Sequence, residues 1–168
     1  MNIDIPKDIK LKCWNYLQKN NMGNRHSANG NKEEQLVGLL GEVLTKQLFN
    51  IEHKFSNGFD GGYDFIYKEN KIDVKTMGRT VNVKDYFVHN FIAFQENYNC
   101  DVYIFNSLNK KNNKLNICGW IKKKDLLQNS IFYKKGSIRQ RSNGTSFKMK
   151  TNTYEIKNNQ LNNIKELL

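Results

Sequence analysis

Apolar residues recur at helical spacing in two segments near the start of the chain. The first predicted helix runs from Pro6 to Asn20, with a proline near its beginning, where the missing N–H does little harm. Its apolar stripe consists of Ile9, Cys13, Trp14 and Leu17. The second predicted helix runs from Glu33 to Phe49, and its stripe consists of Leu36, Leu39, Leu40, Val43, Leu44 and Leu48. Residues 21–31, which include Arg25 and His26, are polar and predict a loop between the helices.

Strand-forming residues dominate the centre of the chain. The apolar run from Asp101 to Ser107 predicts a buried strand, and Leu115 to Lys122 predicts its antiparallel partner across a polar turn. A shorter strand is predicted from Glu52 to Phe55. The segment from Asn82 to Glu96 fits both a helix and a strand, because its apolar residues suit either period.

The last third of the chain combines short elements with basic residues. A short helix is predicted from Lys124 to Asn129, a strand from Thr153 to Ile156, and a terminal helix from Gln160 to Leu168. The segment from Gly136 to Gly144 predicts an exposed loop or hairpin. This order of elements predicts an α/β chain of mixed α+β character, in which helices flank a central mixed sheet.

A tight hairpin is predicted by two runs of strand-favouring residues, Phe65 to Tyr67 and Ile72 to Val74. The residues between them, 68–71, are polar and suit a turn. A loop of two or four residues centred there predicts four pairs: Tyr67 with Ile72, Ile66 with Asp73, Phe65 with Val74, and Asp64 with Lys75. Directly opposite residues share a face, and the faces alternate along each strand.

This register divides the hairpin into two faces of different chemistry. The apolar face carries Phe65, Tyr67, Ile72 and Val74. The other face carries Asp64, Ile66, Asp73 and Lys75. A three-residue loop would reverse the parity and scatter the charges. The alternative is a half-exposed hairpin with a solvated charged face, but it does not explain why two like charges share a small face.

A third acidic residue, Glu42, lies in the second predicted helix. It falls at the border of the apolar stripe, about 60° from Leu39 around the helix. Gly38 and Gly41 lie nearby, and each costs up to ~1 kcal/mol relative to alanine in a helix. That cost predicts a close approach to another element, which would let Glu42 point into a cleft. Taken alone, a glutamate at such a position is more often a solvated helix carboxylate.

Together these residues resemble the PD-(D/E)XK nucleases, a superfamily with the restriction-endonuclease-like fold. The superfamily pattern is a helix glutamate, an aspartate that opens a strand, and Asp/Glu-X-Lys on the next strand. Glu42 matches the helix acid, Asp64 the first aspartate, and Asp73-Val74-Lys75 the tripeptide. Tyr63 replaces the proline that names the motif, and the match covers residues 42 to 75.

The resemblance implies a Mg²⁺-dependent phosphodiesterase site, in which Mn²⁺ would substitute. The implied catalytic residues are Glu42, Asp64, Asp73 and Lys75. The carboxylates of Asp64 and Asp73 and the backbone carbonyl of Val74 would ligate the metal, with Glu42 bound directly or through water. Lys75 would orient the attacking water or stabilise charge in the transition state. Asp60 is a second candidate for the first aspartate of the motif. Because it lies in a glycine-rich loop, it is interpreted as a residue that stabilises a turn.

The chain is strongly basic, with 27 lysines and arginines against 16 acidic residues and a net charge of +11. Such an excess is typical of proteins with a polyanionic partner, although AT-rich coding also enriches lysine and asparagine. Between residues 122 and 150, nine basic residues face one acid, Asp125. DNA contacts are predicted for Arg79, Lys84, Arg139, Arg141 and Lys148. A solvated basic surface is the alternative for any one of them.

Other features of the sequence exclude some classes of protein. No segment approaches the ~20 apolar residues of a membrane span, and the start lacks the pattern of a signal peptide. The cysteines are Cys13, Cys100 and Cys118. Their wide spacing argues against a zinc site and fits a reducing, cytoplasmic setting. The histidines, His26, His53 and His89, are scattered, so a structural or exposed position is expected for each.

These observations predict one nuclease domain over residues 1–168. Its parts would be an N-terminal helix and polar loop (1–31), a catalytic core (33–129), and basic C-terminal strands and helix (130–168). The expected function is Mg²⁺-dependent DNA endonuclease activity, compatible with a phage or mobile-element origin. Restriction, Holliday-junction-resolving and repair roles all stay open, and the resemblance also implies a homodimer as one arrangement. The alternative is a non-catalytic nucleic-acid-binding module with a nuclease-like fold.

Overall fold

The computed structural model describes residues 1–22, 30–55, 61–141 and 144–168. Within these ranges the α-helices are α1 (Lys7–Lys19), α2 (Lys32–Leu48) and α3 (Lys123–Asn129). Short 3-10 helices cover Ala93–Asn97, Asn158–Gln160 and Ile164–Glu166. The predicted loop residues Arg25 and His26, and the competing acid Asp60, lie outside the described residues.

The strands of the described residues form three sheets. The first five strands along the chain are β1 (Asn2–Asp4), β2 (Phe65–Tyr67), β3 (Asn70–Arg79), β4 (Val88–Ile92) and β5 (Val102–Asn109). The next five are β6 (Lys114–Lys122), β7 (Ile131–Tyr133), β8 (Ile138–Gln140), β9 (Ser146–Lys148) and β10 (Thr153–Lys157).

The central sheet has five strands in the order β1-β6-β5-β3-β2. Strands β3 and β5 are parallel, and the other pairs are antiparallel. A parallel pair needs a crossover connection, which residues 80–101 supply and which contains β4. A smaller sheet has the order β4-β10-β7, and β8 pairs with β9 alone. The predicted mixed α/β class with a central mixed sheet is therefore confirmed.

Both faces of the central sheet are covered, which explains why β5 is buried along its whole length. One face packs against α1 and α2 in a core that includes Ile72 and Ile104. The other face packs against the smaller sheet in a cluster that includes Phe91, Tyr103 and Phe105. The predicted buried strand, its antiparallel partner and the short helix after it are confirmed as β5, β6 and α3.

Both N-terminal helices lie where the apolar spacing predicts them. A capping box begins α2: the Asn31 side chain accepts from the Glu34 backbone N–H, and the Glu34 carboxylate accepts from the Asn31 N–H. In α1, Cys13 and Leu17 are buried. The placement of Trp14 in the apolar stripe is wrong, since Trp14 is 37% exposed. It sits about 100° around the helix from Cys13 and lines an open groove beside α2.

Gly41 sets how closely α2 approaches the central sheet. A Cβ built at this position would lie 2.7 Å from Cβ and 2.9 Å from Cγ2 of Thr76 in β3, closer than real side chains pack. Gly38 is exposed, and a Cβ built there meets no atom within 4 Å. The close approach predicted from the two glycines is therefore confirmed for Gly41 and wrong for Gly38.

Residues 52–55 do not form the predicted strand. Side-chain contacts position this segment instead, because the ring of Phe55 packs 4.9 Å from that of Tyr16 and 4.6 Å from that of His53. The segment 82–96 contains a strand rather than a helix, since β4 pairs with β10 over five residues. Its last part turns into the 3-10 helix Ala93–Asn97.

The terminal helix predicted from Gln160 to Leu168 is also wrong. A backbone bridge between Trp120 and Asn162 interrupts this segment, and 3-10 turns form on either side of it. Ile164 and Leu167 are nevertheless buried in the core beneath the central sheet. The apolar residues of this segment are spaced as in a helix, but they reach the core from an irregular segment that the bridge to Trp120 attaches to the sheet. The predicted strand before it, from Thr153 to Ile156, is confirmed as β10.

We expect Gly41→Ala to lower the free energy of unfolding by about 1–3 kcal/mol, because the added methyl group overpacks the contact between α2 and Thr76. The matched control is Gly38→Ala on the same helix, which has open space and should gain up to ~1 kcal/mol from helix propensity. Urea unfolding followed by circular dichroism measures both changes. Equal stability of the two variants would contradict the close approach of α2 to β3.

Candidate active site

The hairpin formed by β2 and β3 has a two-residue turn. Lys68 and Glu69 form it, with backbone φ angles of 45° and 67°, as a tight turn between twisted strands requires. The observed pairs are Phe65 with Ile72, Ile66 with Lys71, and Tyr67 with Asn70. The four predicted pairs are therefore wrong by two residues, because the turn lies one residue earlier than the predicted centre. A shift of two residues preserves the parity of the faces.

The two faces separate as predicted. Phe65 and Ile72 are buried in the core under α1 and α2, and Tyr67 and Val74 pack against the same core. On the opposite face, the side chains of Asp73 and Lys75 form an ion pair with 2.6 Å between Oδ2 and Nζ. Asp73 is 5% exposed, so this pair lies inside the protein rather than on a solvated strand. The alternative of a solvated charged face is contradicted at this position.

Asp64 joins the pair through the backbone of the hairpin. Its N–H donates to the carbonyl of Ile72 at 2.8 Å, and its Oδ2 accepts from the N–H of Val74 at 2.6 Å. The carboxylate of Asp64 therefore takes the place of a backbone acceptor at the entry to β2. This bond fixes the side chain beside the Asp73-Val74-Lys75 segment. The role of the Val74 carbonyl as a metal ligand stays a prediction.

The pKa of the Asp64 carboxyl is raised well above its ordinary value of 3.8. Burial is the main cause, and the nearby charges of Asp73 and Glu42 add to it. The Lys75 ammonium and the Val74 N–H act in the opposite direction but do not cancel the effect. Ionisation of Asp64 is therefore unfavourable beside Asp73 and Glu42, and a bound cation would stabilise the ionised carboxylate.

Glu42 reaches the same region from α2 and is held by two neighbours. Its Oε1 lies 2.6 Å from Nζ of Lys46 and 3.3 Å from Nδ1 of His53. Burial opposes ionisation of Glu42, but these two neighbours outweigh it and lower its pKa below the ordinary 4.5. Glu42 is therefore an ionised carboxylate near Asp64, as the predicted site requires, and not a solvated helix residue.

Two members of this cluster were not identified from the sequence. Lys46 follows Glu42 by four residues, so the i,i+4 rule could have predicted the ion pair. No spacing rule predicts the contact of His53 with Glu42, because that contact depends on the path of the chain after α2. The side chain of His53 is 8% exposed, so of the two positions expected for it the exposed one is wrong, and a purely structural role stays a prediction. What the sequence did not indicate is that its neighbour is a site carboxylate.

Because the charged side chains of the candidate site are largely buried, solvent does little to offset an excess of negative charge among them. Three carboxyl groups, Glu42, Asp64 and Asp73, face the two ammonium groups of Lys46 and Lys75. When only these five groups are counted as ionised, one negative charge is uncompensated, and the raised pKa of Asp64 marks where a proton is taken up. A divalent cation in place of that proton would leave one positive charge. The cluster would then favour a singly charged anion.

Asp64 and Asp73 supply the hard oxygen ligands that Mg²⁺ prefers. Among the described residues, no group of three or more His, Cys, Asp or Glu side chains is arranged to hold a metal ion. Mg²⁺ is usually bound by one or two carboxylates, while water and substrate phosphates complete its coordination. Two carboxylates therefore fit Mg²⁺ better than they fit a metal that needs an all-protein site.

Cys100 lies close to the carboxylates but is a poor metal ligand. Burial raises the pKa of its thiol to about 12, and the charge of Asp73 contributes. Because the thiolate is the form that binds metals, Cys100 stays a protonated core side chain at neutral pH. Its Sγ contacts the carbonyl of Val102 at 3.2 Å. The candidate ligands at this site are therefore oxygen atoms, and metal binding by them stays a prediction.

The five residues predicted to contact DNA differ in their surroundings. Three of them are exposed: Lys84, Arg141 and Lys148. Arg79 donates from Nη2 to the Val88 carbonyl at 2.7 Å, with its guanidinium 4.8 Å from the centre of the Phe87 ring. Arg139 donates from Nε to the buried carboxylate of Glu155 at 2.8 Å. These two arginines stabilise the fold through internal partners, and DNA contact stays a prediction for all five.

Comparisons of the chain with protein-family models, with curated proteins and with solved structures found no match. The resemblance to the PD-(D/E)XK nucleases therefore stays a prediction that rests on the sequence positions of Glu42, Asp64, Asp73 and Lys75. In the part of the chain that the structure describes, no helix has the length and apolar character to cross a membrane.

We expect Asp64→Asn to be more stable than the wild type, by an amount that grows as the pH rises. Because the pKa of Asp64 is raised in the folded protein, folding takes up a proton above pH 3.8, the ordinary value that the unfolded chain retains. The stability that depends on this proton is present in acid and is lost as the pH rises through the folded-state pKa. Asparagine has no such proton, and its carbonyl oxygen can still accept from Val74.

Urea unfolding at about pH 5 and about pH 8 measures this difference. The matched control is Asp8→Asn on α1, whose side chain is 69% exposed, so the stability gap to the wild type should not widen with pH. A gap for Asp64→Asn that stays constant or narrows with rising pH would show that Asp64 is ionised without cost. That result would contradict the electrostatic description of the site.

Proposed function

We propose that the protein is a Mg²⁺-dependent deoxyribonuclease that hydrolyses phosphodiester bonds, with Mn²⁺ as a substitute metal. The observation that carries the proposal is the convergence of Asp64, Asp73 and Lys75 on one face of the β2–β3 hairpin, beside Glu42. An ion pair of 2.6 Å and a carboxyl with a raised pKa lie together there. Perturbed ionisable groups of this kind concentrate at functional sites.

The carboxylates of Asp64 and Asp73 would hold the metal ion, with Glu42 as a direct or water-mediated ligand. When bound, Mg²⁺ polarises a phosphodiester and lowers the pKa of a coordinated water. Asp64 and Asp73 would be held in place by the Val74 N–H and by the Lys75 ammonium, so little reorganisation is needed. A phosphodiester carries one negative charge, which matches the charge of the metal-loaded cluster.

Lys75 would have two roles, one in each state of the site. Without metal it neutralises Asp73 at 2.6 Å. With metal and substrate, its ammonium would be free to orient the attacking water or to stabilise negative charge on the phosphate. Its side chain is 18% exposed, so part of it already faces solvent, from which a substrate would enter.

The charge of the chain supports a nucleic-acid substrate. Residues 130–152 contain six lysines and arginines and no acidic residue, within a chain whose net charge is +11. A surface of this kind binds phosphates without reading sequence, and its affinity falls with salt. Exposed Lys84, Arg141 and Lys148 are the candidates for such contacts.

The restriction-endonuclease-like core is part of the proposal. It is supported by the position of α2, which precedes the hairpin, crosses β3 at Gly41 and Thr76, and brings Glu42 towards Asp64. The parallel strand β5 next to β3 extends the sheet beyond the hairpin. A homodimer, which would allow cleavage of both strands of a duplex, stays a prediction, as do a single nuclease domain over the whole chain and a cytoplasmic location.

A nucleic-acid-binding module without cleavage is the second candidate. The same basic surface supports it, and the ion pair between Asp73 and Lys75 would then serve only the fold. The raised pKa of Asp64 argues against this alternative, because a purely structural site gains nothing from an unfavourable carboxyl pair. The two candidates differ in one measurable property, which is the cleavage of DNA in the presence of a metal ion.

We expect Mg²⁺ or Mn²⁺ to stabilise the protein against unfolding, by about 2.7 kcal/mol at a concentration of 100 times the Kd. The reason is that the metal binds the carboxylate pair only when the hairpin is folded. Thermal melting at increasing metal concentration measures the effect. Asp73→Asn should abolish it, whereas Asp4→Asn, at an exposed carboxylate in β1, should not. Equal stabilisation of both variants would place the metal elsewhere.

We expect purified protein to cut DNA with Mg²⁺ or Mn²⁺ but not with Ca²⁺. Asp73→Ala and Lys75→Ala should each lower the rate by about 10²-fold or more while DNA binding survives, because they remove charges that act in the transition state. Linear, supercoiled, single-stranded and four-way-junction DNA form the substrate panel. Gel electrophoresis measures cleavage, and fluorescence anisotropy measures binding.

The matched controls are Asp4→Ala and Lys12→Ala, whose side chains lie on the exposed surface. Neither should change cleavage. Binding by the wild type without cleavage of any substrate would favour the binding module. A wild-type protein that neither binds nor cuts any of these DNA substrates would contradict both candidate functions.

A further inference from the structure

Strands β8 and β9 form a two-stranded ribbon, which we define as residues 136–141 and 144–149. Three ladder pairs connect its strands: Ile138 with Lys148, Arg139 with Phe147, and Gln140 with Ser146. Backbone bonds from Gly136 to the Met149 carbonyl (2.8 Å) and from Arg141 to the Thr145 carbonyl (2.7 Å) extend the ladder at both ends. Among the described residues, no third strand joins this sheet.

The ribbon has an inner and an outer face. On the inner face, Arg139 binds the buried Glu155 of β10 at 2.8 Å and lies 5.4 Å from the ring centre of Tyr133. Phe147, opposite Arg139, is partly buried. The inner face is therefore fixed to the smaller sheet.

The outer face is open to solvent along its length. It consists of Ile138, Gln140, Ser146 and Lys148, and each of these side chains is exposed. The apolar member of this face, Ile138, is 61% exposed, although isoleucine is usually among the most buried residue types. The face thus combines an apolar group, two uncharged hydrogen-bonding groups and one cation. Three further exposed cations, Lys134, Lys135 and Arg141, flank the ribbon.

We propose that this ribbon enters the major groove of a DNA duplex with its outer face towards the bases. The inference rests on the proposed function, and it names duplex DNA as the substrate class. A two-stranded ribbon fits the width of the major groove, and glutamine and serine side chains hydrogen-bond to base edges there. An exposed aliphatic side chain contacts the thymine methyl group, and flanking cations contact phosphates.

The aromatic rings of the ribbon itself and of the adjoining Tyr133 favour duplex over single-stranded DNA as the occupant of this surface. Proteins that bind single strands stack unpaired bases on exposed aromatic rings. In the ribbon, the Phe147 ring is covered by the guanidinium of Arg141 at 4.6 Å, and the nearby Tyr133 ring lies under Arg139. These rings are occupied from within the protein. What the outer face presents is hydrogen-bonding groups at the edge of a narrow ribbon, which suits a groove.

The ribbon also lies on the side of the central sheet that carries the candidate site. Asp73 pairs with Tyr103 across β3 and β5, and the Tyr103 ring packs 4.8 Å from that of Phe91 in β4. Phe91 packs 6.1 Å from Tyr154 in β10, the strand that binds Arg139. These contacts connect the ribbon to the side of the central sheet that carries Asp73, so one bound duplex would lie along both.

The test is binding of a fluorescein-labelled duplex by the full chain in Ca²⁺, a metal with which no cleavage is expected. Methyl green, which occupies the major groove, should displace the protein, and netropsin, which occupies the minor groove, should not. The double variant Gln140→Ala/Ser146→Ala should weaken duplex binding about tenfold, because it removes two groups that face the bases. Its matched control is Gln128→Ala at an exposed position of α3, which should bind like the wild type.

Lys148→Ala should lower the slope of log affinity against log salt concentration by about one, since it removes one phosphate contact. Lys165→Ala, at an exposed lysine of the 3-10 helix Ile164–Glu166, is its control and should leave the slope unchanged. Circular dichroism of each variant confirms that the ribbon is still folded.

Displacement by netropsin instead of methyl green, tighter binding of single strands than of duplex, or wild-type affinity of the double variant would each overturn the ribbon proposal. None of these results bears on cleavage, which Asp73→Ala tests separately. Conversely, a chain that binds duplex through its ribbon but never cuts DNA would support the inference and contradict the nuclease function. Absence of duplex binding would overturn the ribbon proposal whatever the cleavage assay gives.

Discussion

The packing of α2 against β3 decides which side chains of the hairpin are available for chemistry. Gly41 lets the helix backbone approach Thr76, so one face of β3 is closed off by the core that contains Ile72. Because strand faces alternate, Asp73 and Lys75 must then point to the other side of the sheet. The same contact brings Glu42 near enough to raise the pKa of Asp64. This helix–strand contact thus sets the face of Asp73 and Lys75 and the position of Glu42, and the hydrogen bond from the Val74 N–H holds Asp64 beside them.

The electrostatics of the site oppose the stability of the fold. Two carboxyls approach each other inside the protein, and two lysines only partly compensate for the three acids around them. A protein under selection for stability alone would replace such a group with a neutral one. Retaining it makes physical sense where a cation binds, because binding energy then offsets the repulsion.

The two arginines of the ribbon show that residues of equal charge can have different roles in the folded protein. From the sequence, Arg139 and Arg141 are equivalent, since both are arginines in a polar loop. In the fold, Arg139 pairs with Glu155 and holds the ribbon to the smaller sheet, while Arg141 stays exposed. The uncharged side chain between them, Gln140, becomes the better candidate for contacting bases. Charge alone therefore marks the surface proposed to bind DNA but not the side chains proposed to contact its bases.

Local rules account for what was predicted correctly. The capping residues and apolar spacing of α2, the parity of the hairpin and the long buried run of β5 all depend on neighbours within a few residues. The exact pairs in the hairpin could not be predicted, because turns of two and four residues give the same parity. The terminal helix failed for a different reason. A bridge from Asn162 to Trp120, far away in the sequence, outweighs the local preference for a helix.

The sequence by itself determined which residue types share a face of the hairpin, because side-chain direction in a strand alternates whatever the partner is. It therefore determined that Asp64, Asp73 and Lys75 lie together. Only the tertiary structure decided the environment of this group. The burial that raises the pKa of Asp64, the contact of His53 with Glu42 and the internal partners of Arg79 and Arg139 all depend on segments distant along the chain. Desolvation and long-range contacts are properties of the packed molecule, and no local spacing encodes them.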